Sequence, residues 1–250
     1  MAFTRRNLTL LAGLLLSAVS QLFGAPDAPP PATFRLYSLG SVEPMYYRLD
    51  AKAERRVSLS TAVYSRSHPL PADGTLNFYR IGTSDDPKVP PPKIPVTTIK
   101  TGAAEPGRTT LIILVPGGTP GLPAPVLADG TRAEFAAQVL DDSPAAHPVD
   151  SVRVVSFSTH NVALKLSGDS VLQIPPLANK IIPYPTGDRG MLQIAAFTDN
   201  MWAPVASTMQ MLVPGTRITI FMTDTPPTAD NPNPTSIEYR KVAEVIRRTR

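Results

Sequence analysis

Residues 204–224 read PVASTMQMLVPGTRITIFMTD. Two β-patterned runs meet there at Pro214-Gly215-Thr216. Proline presets φ for a tight turn, and glycine accepts the positive φ that the next position requires. The run after the turn, Ile218 to Met222, is apolar at too many successive positions for a strand with one wet face. It is therefore expected to be a central strand, buried on both sides. Residues 95–115, PVTTIKTGAAEPGRTTLIILV, repeat the arrangement. In both stretches a Pro-Val opens a strand, a Pro-Gly turns the chain, and a strongly apolar strand follows. Together they anchor an internal duplication.

Further landmarks keep the same order. Val152-Arg153-Val154-Val155-Ser156-Phe157 matches the alternating run that starts at Phe34. Pro183-Tyr184-Pro185 answers Pro69-Leu70-Pro71, Gly190-Met191-Leu192 answers Gly74-Thr75-Leu76, and Glu238-Tyr239 answers Glu134-Phe135. From the Pro-x-Pro pair onward the offsets are 114, 116, 109, 108 and 104, a slow drift of the kind loop insertions produce. A unit of about 100 residues with six or seven short strands and turns every 8–12 residues is a β-sandwich. The expected fold class is all-β: two tandem immunoglobulin-like β-sandwich domains, repeat 1 over 33–143 and repeat 2 over 151–250. In repeat 1 the strands are expected near 34–39, 45–49, 56–60, 76–81, 96–100, 109–115 and 132–140. A proline-punctuated loop is expected over 64–73 and a Pro-rich insertion between Ser84 and Pro95. In repeat 2, strands are expected over 152–157, 162–166 and 172–174.

The N-terminus reads as an address. Residues 1–20 carry Arg5 and Arg6, a short leucine-rich core and small residues at Ala18 and Ser20, the layout of a secretory signal peptide cut after Ser20. Thr4-Arg5-Arg6-Asn7-Leu8 also loosely resembles a twin-arginine signal. Residues 21–32, with Pro26, Pro29, Pro30 and Pro31, read as an extended Pro-rich linker. No second apolar run reaches the ~20 residues of a membrane span. The expected location is therefore periplasmic or extracellular, with a mature chain that does not span a membrane.

Composition excludes several chemistries. There is no cysteine, so disulfides, thiolate metal sites and cysteine nucleophiles are all ruled out. The 29 prolines oppose long helices. The net charge of +4 rests partly on Arg5 and Arg6, and otherwise on a basic C-terminus with Arg240, Lys241, Arg247, Arg248 and Arg250. A solvated tail accounts for that cluster, and no nucleic-acid-binding motif accompanies it.

The opening V-R-V-V-S at Val152, the Val162-Ala163-Leu164-Lys165-Leu166 strand leading to Gly168-Asp169, and the closing Pro-Gly-x-x-Ile-Thr-Ile strand resemble a secreted bacterial family of uncharacterised, often tandem β-sandwich domains. The resemblance covers about 151–224 well and 33–115 weakly. It implies a fold and an exported location, with no activity, cofactor or catalytic residue.

No catalytic or metal constellation is legible. His68, His147 and His160 lie in separate segments without ligand spacing, and read as exposed loop histidines. Asp85-Asp86, Asp141-Asp142, Asp188, Asp199, Asp224 and Asp230 follow no calcium-loop spacing and read as turn formers. Gly117-Gly118-Thr119-Pro120-Gly121 lacks the lysine and helix of a phosphate loop. Met201, Met209, Met211 and Met222 cluster near Trp202. Thioethers suit copper(I), but alternation along strands favours core packing. Trp202, flanked by Asp199 and Asn200, is the best binding candidate, an aromatic able to stack on a sugar or peptide. The expected function is an exported, non-catalytic envelope protein that binds or scaffolds a protein or glycan partner. The alternatives are a hydrolase on the same scaffold, with carboxylates gathered from distant loops, and a periplasmic copper(I) handler.

Overall fold

In the computed structural model, residues 30–250 are described apart from 41–42, 169, 188, 227, 231–236 and 247–250. The expected signal peptide over 1–20, nearly all of the expected Pro-rich linker, Asp169, Asp188, Arg247, Arg248 and Arg250 lie outside the described residues. The chain divides into Met1–Pro30 and Pro31–Arg250, and the sixteen strands among the described residues lie in the second unit.

The first eight strands are β1 (Thr33–Ser38), β2 (Met45–Arg48), β3 (Glu54–Val57), β4 (His68–Pro69), β5 (Thr75–Ile81), β6 (Lys93–Lys100), β7 (Thr109–Pro116) and β8 (Phe135–Asp141). They form two sheets, ordered β4-β1-β7-β8 and β3-β2-β5-β6. The next eight are β9 (Ser151–Ser156), β10 (Val162–Leu166), β11 (Leu172–Ile174), β12 (Asn179–Pro183), β13 (Arg189–Thr198), β14 (Met201–Met211), β15 (Thr216–Asp224) and β16 (Ile237–Val245). Their sheets run β12-β9-β15-β16 and β11-β10-β13-β14. Adding eight to every strand number of the first copy gives the second. The parallel pairing of β1 with β7 recurs between β9 and β15, and every other pairing between strands is antiparallel. The expected tandem sandwich architecture is the observed one.

The repeated dipeptides have mechanical roles. Both sheets carry a bulge at the same place: Phe78 pairs with Thr97 but Tyr79 with Pro95, and Ile194 pairs with Ala206 but Ala195 with Pro204. The repeated Pro-Val is thus the bulged pair, a position where a strand tolerates proline because the ladder is already interrupted. Gly107 and Gly215 both sit at φ 77°, the left-handed conformation that the Pro-Gly turns require. Gly74, at the head of β5, is confined further: a Cβ there would lie 1.7 Å from the carbonyl oxygen of Gly102.

Burial separates two kinds of strand. β13 alternates exposed and buried residues, as a strand with one wet face does, whereas β7, β9 and β15 are buried almost throughout. One face of each buried strand fills its own sandwich. Phe34, Leu36, Phe78 and Ile112 belong to the first core, and Val154, Leu164, Ile194 and Ile220 to the second. The other face closes a third core shared by both copies, in which Tyr37, Leu39, Leu111, Ile113 and Val115 meet Val155, Phe157, Phe221 and Val242. Tyr37 stacks on Phe221 with ring centroids 4.2 Å apart and planes 11° from parallel. The buried stretch Ile218–Met222 is a central strand, as expected, and the second sandwich supplies only half of its burial.

Several details differ from expectation. The third strand begins two residues earlier, at Glu54, and the last strand of the first copy starts at Phe135. The 64–73 loop contains the short β4. β12, mostly exposed, pairs with β9 without any apolar alternation to announce it. Asp224 lies opposite Ile237 and Pro116 opposite Phe135, so Phe135 corresponds to Ile237, two residues before the expected Tyr239. The insertion between Ser84 and Pro95 falls in the β5–β6 connection. The second copy has only Asp199-Asn200 at that point.

Candidate functional site

Asp199 and Asn200 both have positive φ, 50° and 61°, and are the two residues between β13 and β14. Two successive left-handed residues make the mirror-image turn whose twist matches a hairpin, and Asp and Asn adopt that conformation more readily than other non-glycine residues. Both are thereby assigned a backbone task. Trp202 stands on β14 itself, directly opposite Phe197 on β13, with ring centroids 5.2 Å apart. Trp202 is 42% exposed and Phe197 37%.

The same hairpin carries exposed methionines at its other end. Met191 lies opposite Met209, and Met211 is two residues further along β14 on the same side. Met209 and Met211 are 54% and 56% exposed, and Met201 is exposed as well. Core packing was the expectation for these residues, and it holds only for Met222, which is fully buried. The outward residues of β13 and β14 are exposed because only one face of their sheet packs on the second core.

The duplication provides an internal control for this face. By register, the Met191–Met209 pair corresponds to Thr75–Lys100, and the Phe197–Trp202 pair to Ile81–Lys93. The fold therefore accepts polar or charged partners at these positions, and the apolar set in the second copy is not needed to build the hairpin. The two apolar clusters flank the polar Gln193–Ser207 pair on the same face, and exposed apolar clusters of this kind are candidates for interaction sites.

A second constellation, which the sequence reading missed, lies where the two sandwiches meet. Arg35 of β1 bonds both Asp142, just after β8, and Glu244 of β16. Arg153 of β9 donates to Asp142 at 3.3 Å and to the carbonyl oxygens of Asp141 and Ala146. Arg217 of β15 reaches Asp142 at 3.4 Å and Glu244 at 3.4 Å, and donates to the carbonyl oxygens of Asp142 and His147. Register makes Arg35 the counterpart of Arg153, and Asp142 the counterpart of Glu244. Each arginine reaches across to the other copy's carboxylate, the reciprocal pattern of a two-fold interface.

Burial opposes the charge on Arg35, but hydrogen bonding and proximity to Glu244 and Asp142 outweigh it, and its pKa lies above the ordinary value. For Arg153 burial wins over the neighbouring Asp142 and the pKa is lowered. His147, in the connection between the copies, is 1% exposed, and neither ring nitrogen has a partner in hydrogen-bonding geometry. Burial first, then Arg153 and Arg217, push its pKa down to about 3, which only a weak interaction with the Ile218 backbone opposes, so it is neutral.

His68 is also buried, stacked on Phe34 at 5.5 Å, so two of the three histidines are not the exposed loop residues expected. Asp224 accepts from Ser158 and Thr159 and ties down the loop after β9. Among the described residues no three His, Asp or Glu side chains gather as a metal site. Among the described residues no helix is long and apolar enough to cross a membrane. The glycine-rich connection after β7 borders an open cleft of about 570 Å³, in which Glu134 is already paired with Arg80.

No family model and no curated protein matches the chain. Among solved structures, it is similar to a Bacteroides ovatus protein provisionally assigned to cell adhesion, at 12% identity over 89% of this chain and all of the other. The TM-score is 0.25, too slight a likeness to bear on function.

Proposed function

We propose that this chain is an exported, non-catalytic β-sandwich protein of the cell envelope that binds or scaffolds a protein or glycan partner through the outer face of β13 and β14. The observation that carries this reading is the exchange of Thr75–Lys100 and Ile81–Lys93 in the first copy for Met191–Met209 and Phe197–Trp202 in the second. Aromatic side chains at an exposed hairpin supply large contact area at low entropic cost, and methionines adapt to irregular apolar partners. The signal-peptide layout of residues 1–20 and the resemblance of 151–224 to secreted tandem sandwiches support an envelope location.

The test transplants the first copy's residues into the second: Met191→Thr, Phe197→Ile, Trp202→Lys and Met209→Lys in one variant. Purified protein is assayed for binding to peptidoglycan, to a glycan panel and to membrane-protein extracts. Unchanged melting with at least tenfold weaker binding supports the reading. Equal binding by the variant refutes it. Loss on Trp202→Ala alone identifies a stacking glycan, and loss only on Met191→Thr with Met209→Lys identifies a protein surface. Turnover of a glycoside, abolished by one carboxylate substitution, would replace this reading with a hydrolase.

A second reading rests on Met191, Met209 and Met211, whose thioethers share one exposed face and suit a soft monovalent metal. Saturable copper(I) or silver(I) binding, lost in Met209→Leu, would establish it. Titration without saturation would eliminate it.

A further inference from the structure

We propose that the cavity at the seam between the two sandwiches is a binding site for a small oxyanion, a carboxylate or a phosphate-like group. The cavity measures about 240 Å³ and is lined by Arg35, Ser67, Thr109, Asp142, His147 and Arg217, among others. That volume accommodates one small anion, from phosphate up to about the size of citrate.

The electrostatic argument comes from broken symmetry. The reciprocal pairs Arg35 with Glu244 and Arg153 with Asp142 balance each other. Arg217 has no such balance, because its counterpart in the first copy is Thr109. Three guanidinium groups thus face two carboxylates, and His147, which is neutral, adds no charge. The nearby Asp141 carboxylate turns away to the Ser143 backbone on the exposed side. A surplus cation this deeply buried is costly; the carbonyl oxygens of Asp142 and His147 offset part of that cost for Arg217, and a bound anion would offset the rest.

Donors remain to receive such an anion. The Nε of Arg35 and both ring nitrogens of His147 are buried and unpartnered, and a neutral imidazole always offers one N–H. Ser67 and Thr109 place hydroxyl-bearing side chains on the same wall. Asp142 opposes an anion, but its carboxylate is already engaged by all three arginines. The ligand would touch Arg35 from one copy, Arg217 from the other and the connection between them.

The experiment titrates the full chain with phosphate, sulfate or citrate at ionic strength held constant with sodium chloride, followed by calorimetry and by melting temperature. Saturable binding in the micromolar-to-millimolar range, beyond the chloride effect, is expected. The order of phosphate and citrate tells which oxyanion class fits. Arg217→Thr installs the residue that the first copy already uses and should weaken binding at least tenfold. Ser67→Tyr, at the exposed mouth, should block binding without touching the ion pairs, and serves if Arg217→Thr fails to fold. No response above chloride in the unmodified protein, or undiminished binding in a folded Arg217→Thr or Ser67→Tyr variant, overturns the proposal.

Discussion

Replacing Asp142 by Asn keeps the shape of the side chain and removes the charge that Arg35, Arg153 and Arg217 all contact. The position is 1% exposed, so water cannot replace what is lost. Arg35 and Arg217 would then share Glu244, and Arg153 would lose the carboxylate to which it donates. Breaking a buried pair by removing one partner costs about 3–5 kcal/mol, because the other charge is left uncompensated. For a chain of this size each kcal/mol moves Tm by about 2–4 °C, so Asp142→Asn should melt roughly 6–20 °C lower. Differential scanning calorimetry with urea denaturation at pH 7 reads both quantities. Glu54→Gln, which breaks an exposed ion pair with Lys93, serves as the reference and should cost far less, since solvent screens that pair. The double variant Asp142→Asn with Arg153→Met should recover part of the loss, since it removes one stranded cation. If Asp142→Asn costs no more than Glu54→Gln, the seam is held by apolar contact alone and the electrostatic reasoning fails.

The remaining predictions concern acid, the shared core and the hairpin. With His147 titrating near pH 3 when folded and near 6.5 when unfolded, the unfolded chain binds the extra proton between those values, and stability falls as the pH drops through that window. The groups facing it are Arg35, Arg153, Arg217 and Asp142. The loss should total on the order of 4 kcal/mol between pH 7 and pH 3, and His147→Gln should flatten urea midpoints against pH, although His68, also lowered by burial, contributes in the same direction. An unchanged slope in His147→Gln would contradict the assignment. Phe221→Ala removes the ring stacked on Tyr37 and should cost about 3–5 kcal/mol, with fluorescence and circular dichroism showing both copies melting in one transition; separate transitions would disprove coupling through the shared core. Asn200→Val forces a β-branched residue into positive φ and should cost about 1–3 kcal/mol, whereas Asn200→Gly should be near neutral by thermal melt, and equal stability of the two would refute the turn assignment.

Much of the architecture was legible because it depends on local chemistry that duplication preserved. Pro95-Val96 and Pro204-Val205 mark bulges, Gly107 and Gly215 mark turns, and both kinds of position constrain the backbone directly. β12 was not legible, since an edge strand with exposed side chains has no periodicity to read. The methionines of β14 were misjudged for a related reason. Alternation shows that one face differs from the other, but which face is wet depends on which face of the sheet is covered by another layer. The seam was invisible because Arg35, Asp142, Arg153, Arg217 and Glu244 are scattered over more than 200 positions and look individually like surface charges. One signal could have exposed it: aligning the copies places Arg35 on Arg153 and Asp142 on Glu244, and conserved pairing of buried charge between repeats points to a common interface.

The reciprocal bonds at the seam also bear on how such a molecule could arise. Arg35 reaching Glu244 and Arg153 reaching Asp142 are one contact made twice, and would close equally well between two separate copies of a single sandwich bearing that arginine and that carboxylate. Seen this way, the chain is a symmetric dimer made covalent by the nine residues between β8 and β9. Fusion freed the halves to diverge, and the departures fall where symmetry had forbidden them. One is the lone Arg217 against Thr109 beside the seam cavity. The other is the apolar hairpin carried by only one of the two ends.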